Sequence, residues 1–185
     1  MVADLEGLGH AHDFVEVEPY GGWSWEKTTL RKAHEAGKAM DRHPNKLVVF
    51  LDVDARVLRP LDDLVNRWRG DVGFYIRTSI RKTGGVKIRI RSGTMVLANT
   101  PQARHFVDVW EAESRSAPRG EVDQAALQVA LGKQLAATYR PLPLEYCATE
   151  GDRCHNPAIL HDQASKGVRK VGNWQKRWWY LTGQR

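Results

Sequence analysis

The stretch Leu47-Val48-Val49-Phe50-Leu51-Asp52-Val53-Asp54 decides the fold prediction for this chain. Its short, unbroken apolar run predicts a buried strand. Open α/β sheets bind their ligands at the carboxyl ends of strands, which is where Asp52 and Asp54 follow. Residues i and i+2 share a strand face, so both carboxylates are expected to point to one spot, where a divalent cation would relieve their repulsion. The plain alternative is a polar strand end with two solvated acids.

Size and composition indicate one soluble globular domain over residues 1–185. Hydrophobic residues make up 42% of the chain and charged residues 27%, and 185 residues suffice for a sizeable core. No apolar run approaches the roughly 20 residues of a membrane helix. The acidic start, residues 1–6, lacks the layout of a signal peptide. We therefore expect a cytoplasmic protein, in which Cys147 and Cys154 are free thiols.

The charge balance predicts an anionic partner. The net charge is +6 and the pI is about 9.5, which suits a nucleotide, a phosphorylated acceptor, an anionic lipid surface or a nucleic acid. The C-terminal segment 171–185 mixes basic residues with three tryptophans and a tyrosine. That mixture is typical of nucleic-acid stacking, of peripheral membrane contact, or of tryptophans that pack on the body of the protein. We favour the last interpretation.

Hydrophobic periodicity predicts alternating strands and helices along the chain. The expected strands cover 14–17, 47–52, 71–76, 86–91 and 95–98, with late extended pieces at 142–146 and 158–160. The expected helices cover 24–42, a short turn at 62–64, a segment that begins at Thr100-Pro101, and one that begins near Glu121. This pattern favours an α/β fold: a single Rossmann-like domain whose central, mainly parallel (mixed) sheet is flanked by helices.

Five segments carry a family resemblance through their order along the chain. They are Trp23 with Lys27, the segment 51–55 around the D-x-D, the segment 92–101 that begins Ser92-Gly93 and ends Asn-Thr-Pro, Asp123-Gln124, and the segment 159–165 that contains His161. In this order they resemble the motifs of nucleotide-sugar glycosyltransferases of the A-type fold. The resemblance implies transfer of a sugar from a nucleoside-diphosphate sugar donor to a hydroxyl-bearing acceptor, which could be a glycan, a lipid or a protein.

The resemblance also implies a role for each matching residue. Asp52, Asp54 and His161 would bind Mn²⁺ (or Mg²⁺), and an imidazole among carboxylates suits Mn²⁺. Asp123 and Gln124 would serve catalysis, with an acid at this place acting as general base in inverting members and contacting the donor sugar in retaining ones. The residues assigned to the donor and its diphosphate are Lys27, Ser92, Gly93, Lys166 and Lys170.

Each of these residues also has a purely structural interpretation. Gly93 could be a turn glycine, Asp123 a helix cap, and His161 a histidine that only supports the fold. The sequence also departs from the family at its start, because only 22 residues precede Trp23. Family members have a complete strand–helix–strand there, and its first strand cradles the nucleoside base. The first nucleotide-binding strand thus lacks a clear counterpart in this sequence.

Two other functions compete with sugar transfer. A haloacid dehalogenase-like phosphatase also ends an apolar strand with D-x-D, using the first acid as nucleophile and the second as general acid. That class prefers Thr or Val where this chain has Arg56, and Asp62-Asp63 follows too soon to be its later acid pair. A non-catalytic basic module that binds nucleic acid explains the charge, but it leaves the order of the motifs to chance. We therefore regard nucleic acid as an unlikely partner.

Overall fold

The structure is a computed structural model that describes residues 1–15, 25–134 and 136–162. Its helices are α1 (Val2–Gly7), α2 (Trp25–Thr29), α3 (Lys32–Arg42), α4 (Asp62–Arg67), α5 (Pro101–Ser116) and α6 (Asp123–Lys133). Its strands are β1 (Val48–Leu51), β2 (Ala55–Val57), β3 (Val72–Ile80), β4 (Val86–Leu97), β5 (Tyr139–Pro141), β6 (Ala148–Thr149) and β7 (Ile159–His161). A 3₁₀ turn, Leu144–Tyr146, precedes β6.

The larger sheet has four strands in the order β1-β4-β3-β5. Strands β3 and β5 pair in parallel, while β4 is antiparallel to both of its neighbours. Strands β1, β3 and β5 therefore run in one direction, with β4 reversed between β1 and β3. The predicted α/β fold with a mixed sheet is confirmed, and most of the strands share a direction although most of the pairings are antiparallel.

A second, three-stranded sheet has the order β2-β7-β6. Strand β2 is antiparallel to β7, and β6 is parallel to β7. A turn of three residues separates β1 from β2, so the chain passes from the larger sheet to the smaller one at the D-x-D motif.

Alternation along the strands creates two apolar clusters, one on each face of the larger sheet. Phe74, Met95 and Leu97 face helices α3, α5 and α6, where Phe106 and Trp110 are fully buried. The neighbouring residues of the same strands, such as Val96, face the opposite way and pack with α1, α4, β2 and β7. The sheet is thus covered on both faces, as its nearly continuous apolar strands require.

Several predicted elements differ in their bounds. The predicted helix 24–42 is two helices, α2 and α3, which are separated at Leu30 and Arg31. The predicted strands 86–91 and 95–98 form one twelve-residue strand, β4. Phe14 and Val15 are not in a strand, and part of 142–146 is a 3₁₀ turn. The predicted start of α5 is confirmed, because Thr100 Oγ1 accepts a hydrogen bond from Ala103 N at 3.1 Å.

The predictions for Trp23, Lys166, Lys170 and the segment 171–185 fall on residues outside the described ranges. Within the described ranges, no helix combines the length and the apolar character that crossing a bilayer requires.

A partly buried ion pair connects β4 to the loop after β6. Asp152 accepts hydrogen bonds from Arg91 Nη1 at 2.5 Å and Nη2 at 3.1 Å, and from the backbone N and Oγ1 of Thr149. The Arg91 bond is the main reason why the pKa of Asp152 lies well below its usual range, against the opposing effect of burial. The ionised carboxyl therefore stabilises this part of the fold.

We expect Asp152→Asn to lower the free energy of unfolding at pH 7 by about 1 to 3 kcal/mol, because the charged hydrogen bonds are lost. The folded-state pKa is depressed, so this contribution is present above the unfolded pKa of about 4 and is lost as the pH falls further. Urea unfolding of both proteins at pH 7 and at successively lower pH measures the difference, which should shrink on acidification. Asp63→Asn is the matched control, since the Asp63 side chain is 79% exposed in its pair with Arg67.

Candidate active site

The D-x-D motif lies in the tight turn between β1 and β2. Strand β1 ends at Leu51, and the backbone N of Ala55 donates to the carbonyl of Asp52 at 2.9 Å, which closes the turn. Asp52 N also donates to the carbonyl of Gly93 on β4 at 2.8 Å. The expectation that the two acids share a strand face is therefore wrong. They converge because the chain turns between two sheets.

Strand β7 brings His161 to the same turn. Ala55 pairs with His161 across the β2–β7 ladder, and Asp162 N donates to the Asp54 carbonyl at 3.2 Å. One ligand atom from each of Asp52, Asp54 and His161 lies within 4.8 Å of the others. His161 Nδ1 lies 3.6 Å from Asp54 Oδ1. Two acids of one turn and a histidine from a distant part of the chain thus form one cluster, which we call the carboxylate–histidine cluster.

A bulge in β4 presents polar side chains to this cluster. Phe74 pairs with Met95, but the next residue, Tyr75, pairs with Arg91. Residues 92–94 of β4 therefore have no counterpart on β3, and the strand can turn their side chains into the site. Ser92 and Thr94 are both buried and both make side-chain hydrogen bonds there.

Gly93 leaves space for the His161 ring. A Cβ atom at position 93 would lie 2.8 Å from His161 Cε1 and within 3.2 Å of both ring nitrogens. The ring is held in place, because its Nε2 is hydrogen-bonded to Thr94 Oγ1 at 2.9 Å. Glycine is therefore needed here for close packing of an imidazole against backbone, and the alternative of a turn glycine does not apply, because Gly93 lies within strand β4.

Lys32, on the first turn of α3, joins the cluster to α6. Its Nζ lies 2.7 Å from Asp52 Oδ1 and 2.7 Å from Asp123 Oδ2. Ser92 Oγ donates to the same Asp123 oxygen at 2.5 Å and lies 3.3 Å from Lys32 Nζ. Only 13% of the Lys32 side chain and 7% of the Asp123 side chain are exposed. A buried ammonium thus links α3, the D-x-D turn, β4 and α6.

The charges of this group shift its pKa values. Burial alone would lower the pKa of Lys32, but the carboxylates of Asp123 and Asp52 raise it well above its usual value. Burial raises the pKa of Asp52, with Asp123 and Asp54 adding to the rise and Lys32 opposing it. For His161, burial lowers the pKa, whereas the interactions with Asp54 and Cys147 prevail and raise it to about 9. The lysine is therefore charged, and the imidazole carries a proton at neutral pH.

The composition of the cluster fits a divalent cation. With Asp123 included, three carboxylates (Asp52, Asp54 and Asp123) outnumber the Lys32 ammonium by two negative charges, so a divalent cation that replaced the proton of His161 would neutralise the whole group. Two carboxylates and an imidazole are also a donor set that Mn²⁺ accepts. Thr94 Oγ1 is hydrogen-bonded to His161 Nε2, the ring nitrogen other than the one that faces Asp54. A hydrogen bond of this kind orients a metal-binding imidazole.

The structure distributes the other predicted residues unevenly. Asp123 begins α6 and belongs to the group around Lys32, whereas the adjacent Gln124 is exposed. Lys27 lies on α2 and lines an open cavity of about 720 Å³ between α3 and the end of α5. The described residues that line this cavity include none of the carboxylate–histidine cluster. Lys27 therefore lines a cavity that the predicted metal ligands do not line.

Two residues of the site were not predicted, Lys32 and Thr94. Lys32 had a sequence signal, since it lies four residues before Ala36 on the buried stripe of α3, where a lysine is unexpected. For Thr94 the sequence contained no signal beyond its position next to Gly93.

No protein-family model matches this chain, and no curated protein does. Among solved structures, it is similar to the crystal structure of a glycosyltransferase involved in the glycosylation of the major capsid of PBCV-1. The TM-score is 0.65, and the superposition covers 92% of this chain and 87% of that chain at 12% sequence identity. At this identity the similarity shows the fold. The chain shares the α/β fold of that protein, which agrees with the α/β class predicted from its sequence.

Proposed function

We propose that this protein is a metal-dependent glycosyltransferase, which moves a sugar from a nucleoside-diphosphate donor to a hydroxyl group of an acceptor. The observation that carries the proposal is the carboxylate–histidine cluster at the edge of the sheet, with its surplus of negative charge. The glycosyltransferase fold supports the same assignment. Mn²⁺ or Mg²⁺ would be held by Asp52, Asp54 and His161, and when bound it would supply positive charge for the leaving diphosphate.

Lys32 and Ser92 hold Asp123 in a fixed orientation. The Oδ2 atom of Asp123 is engaged by both the ammonium and the hydroxyl group, and its side chain is nearly buried. A carboxylate held this way can orient hydroxyl groups of the donor sugar through its remaining lone pairs. This arrangement favours an orienting role for Asp123 over that of general base, because one of its carboxylate oxygens is already bonded to both Lys32 and Ser92. In this proposal, Asp52 would bind the metal ion while it also forms an ion pair with Lys32.

Asp52 and Asp54 form the open side of the site. Their side chains are 32% and 23% exposed, whereas that of His161 is only 8% exposed. A diphosphate that approaches from solvent would therefore meet the two carboxylates and their metal first. The imidazole, enclosed behind them, would exclude water from that side.

A thermal-shift assay with nucleoside diphosphates and nucleotide sugars, each with and without Mn²⁺, tests the proposed donor binding. We expect one nucleotide to raise the melting temperature only when Mn²⁺ is present, because a ligand of the folded state stabilises it by mass action. Asp54→Asn should remove this metal-dependent shift, while Asp63→Asn should keep it. A shift of the same size in the Asp54 variant, or no shift with any nucleotide in the wild type, would contradict the proposal.

Gly93→Ala tests whether the position of His161 matters for metal binding. The new methyl group would force the imidazole or the strand at position 93 to shift, so we expect the affinity for Mn²⁺ to fall by about 10- to 100-fold, as for lost outer contacts of metal ligands. Titration calorimetry with Mn²⁺ measures the affinity. Gly132→Ala is the matched control, since nothing lies within 4 Å of its added methyl group. Equal Mn²⁺ affinity of the Gly93 variant and the wild type would exclude His161 as a ligand.

A further inference from the structure

Beyond the sheet, strands β3 and β4 continue as a two-stranded arm. After the bulge at Phe74, pairing runs without interruption from Tyr75–Arg91 to Ile80–Val86, and a turn with Gly84 and Gly85 closes the arm. Six paired residues per strand extend about 20 Å. We refer to residues 75–91 as the arm. An isolated two-stranded ribbon is at best marginally stable in water. A projecting ribbon of this length therefore indicates a functional role for the arm.

The arm is amphipathic, because residues paired across an antiparallel ladder share a face. One face carries Ile90 at its base, followed by Ile76, Thr78, Ile88, Ile80 and Val86 towards the tip. This apolar face continues from the core, where Ile90 is buried, into solvent, where Ile88, Val86 and Ile80 are 56%, 64% and 86% exposed. Such a row of exposed β-branched side chains is typical of an interaction surface.

The opposite face and the tip are basic. Arg77, Lys87 and Arg89 lie on the opposite face, and Arg81 and Lys82 lie at the tip. The sequence contains no Asp or Glu from residue 72 to residue 107. Among the described residues, the only ion pairs of the arm join Arg77 and Arg91 to Asp152 at its base. The outer half of the arm therefore presents uncompensated positive charge beside its apolar row.

These features favour an anionic bilayer over other partners. A second copy of the chain would bring two uncompensated basic arms together, which like-charge repulsion opposes. A nucleic acid would leave the apolar row unexplained, and the exposed side chains of the arm are aliphatic rather than the aromatic ones on which bases stack. Interfacial membrane elements, in contrast, combine an apolar face with lysines and arginines on the other side.

We propose that the arm docks the protein on membranes that contain anionic phospholipids. Ile80, Val86 and Ile88 enter the boundary between headgroups and acyl chains, and the arm's lysines and arginines extend around the narrow ribbon to the lipid phosphates. Neither contact requires a membrane-spanning segment. The proposal does not depend on the catalytic assignment, because it uses none of the residues of the carboxylate–histidine cluster.

Sedimentation of the full chain with lipid vesicles tests the proposal. We expect binding to vesicles that contain phosphatidylserine, weak binding to pure phosphatidylcholine, and a loss of binding as salt is raised. Ile80→Ser with Ile88→Thr should weaken binding at least about tenfold. Neutralising Arg81, Lys82 and Lys87 to glutamine should weaken it by about fivefold per charge. Val65→Ser with Val129→Ser is the matched control on exposed helix positions and should bind like the wild type.

Three outcomes would overturn the proposal. Wild-type protein that does not sediment with anionic vesicles excludes the arm as a docking element. Unchanged binding by both arm variants assigns vesicle binding to another part of the chain, such as the basic segment 171–185. Equal binding to neutral and anionic vesicles would show that the lysines and arginines of the arm do not contribute to binding. Circular dichroism and melting temperature verify that each variant is folded, which the exposure of the substituted side chains leads us to expect.

A fluorescent label at the tip provides an independent readout. Thr83→Cys, combined with Cys154→Ser, leaves buried Cys147 as the other thiol. An environment-sensitive dye at position 83 should shift to shorter wavelength when phosphatidylserine vesicles are added, because the tip moves into an apolar medium. The same dye on Arg69→Cys, an exposed site outside the arm, should not shift. An unchanged spectrum at position 83, with vesicles bound, would contradict insertion of the arm.

Discussion

The contact on which the site depends is the ion pair of one buried ammonium with two carboxylates. Lys32 on α3 meets Asp52 at the D-x-D turn and Asp123 at the start of α6. A buried ion pair adds little net stability, because desolvation of the charges offsets their attraction. Removal of one partner, however, leaves an uncompensated charge and costs about 3 to 5 kcal/mol. The pair therefore specifies how three separate elements meet, more than it stabilises the fold.

Strand β4 is the second constraint, since it connects core, site and arm in one element. Its last residues, Met95 and Leu97, lie in the core, and Ser92 and Thr94 contact the site. Its first residues, from Val86 onward, form half of the arm. The bulge at residues 92–94 makes these uses compatible, because it interrupts pairing with β3 where side chains must turn towards Asp123 and His161. A regular ladder would have placed Ser92 and Thr94 opposite residues of β3.

The features that could be predicted from sequence are those that local patterns encode. The apolar run before Asp52 predicted β1, and Thr100 followed by Pro101 predicted the start of α5. The motif order also placed Asp52, Asp54 and His161 together in the predicted metal site, and the structure brings them within ligand distance of one another. Their role as metal ligands stays a prediction.

The features that could not be predicted from sequence depend on contacts between residues that are distant along the chain. The lysine that contacts Asp52 is Lys32, whereas sequence predicted Lys27 as a lysine of the site. Lys32 begins α3, after the break that separates this helix from α2. The two predicted strands join into β4 because β4 pairs with β3 on both sides of residues 92–94 and with β1 from Thr94 onward, whereas the stretch around Ser92-Gly93 resembles a turn when read locally. Gly93 has no unusual backbone requirement of its own, and its need for a missing side chain comes from His161, 68 positions later.

The arm and the site lie at the same end of the sheet, where strands β1 and β3 have their carboxyl ends. Asp52 follows the carboxyl end of β1, and the arm continues the carboxyl end of β3, which runs in the same direction. Gly93, which bonds Asp52 N, is only two residues from Arg91 at the base of the arm. A bilayer held at the arm would therefore lie on the side of the protein where a sugar would be transferred. Acceptors with a lipid anchor would then be concentrated near the site, whereas a soluble donor could still reach the two exposed carboxylates from the aqueous side.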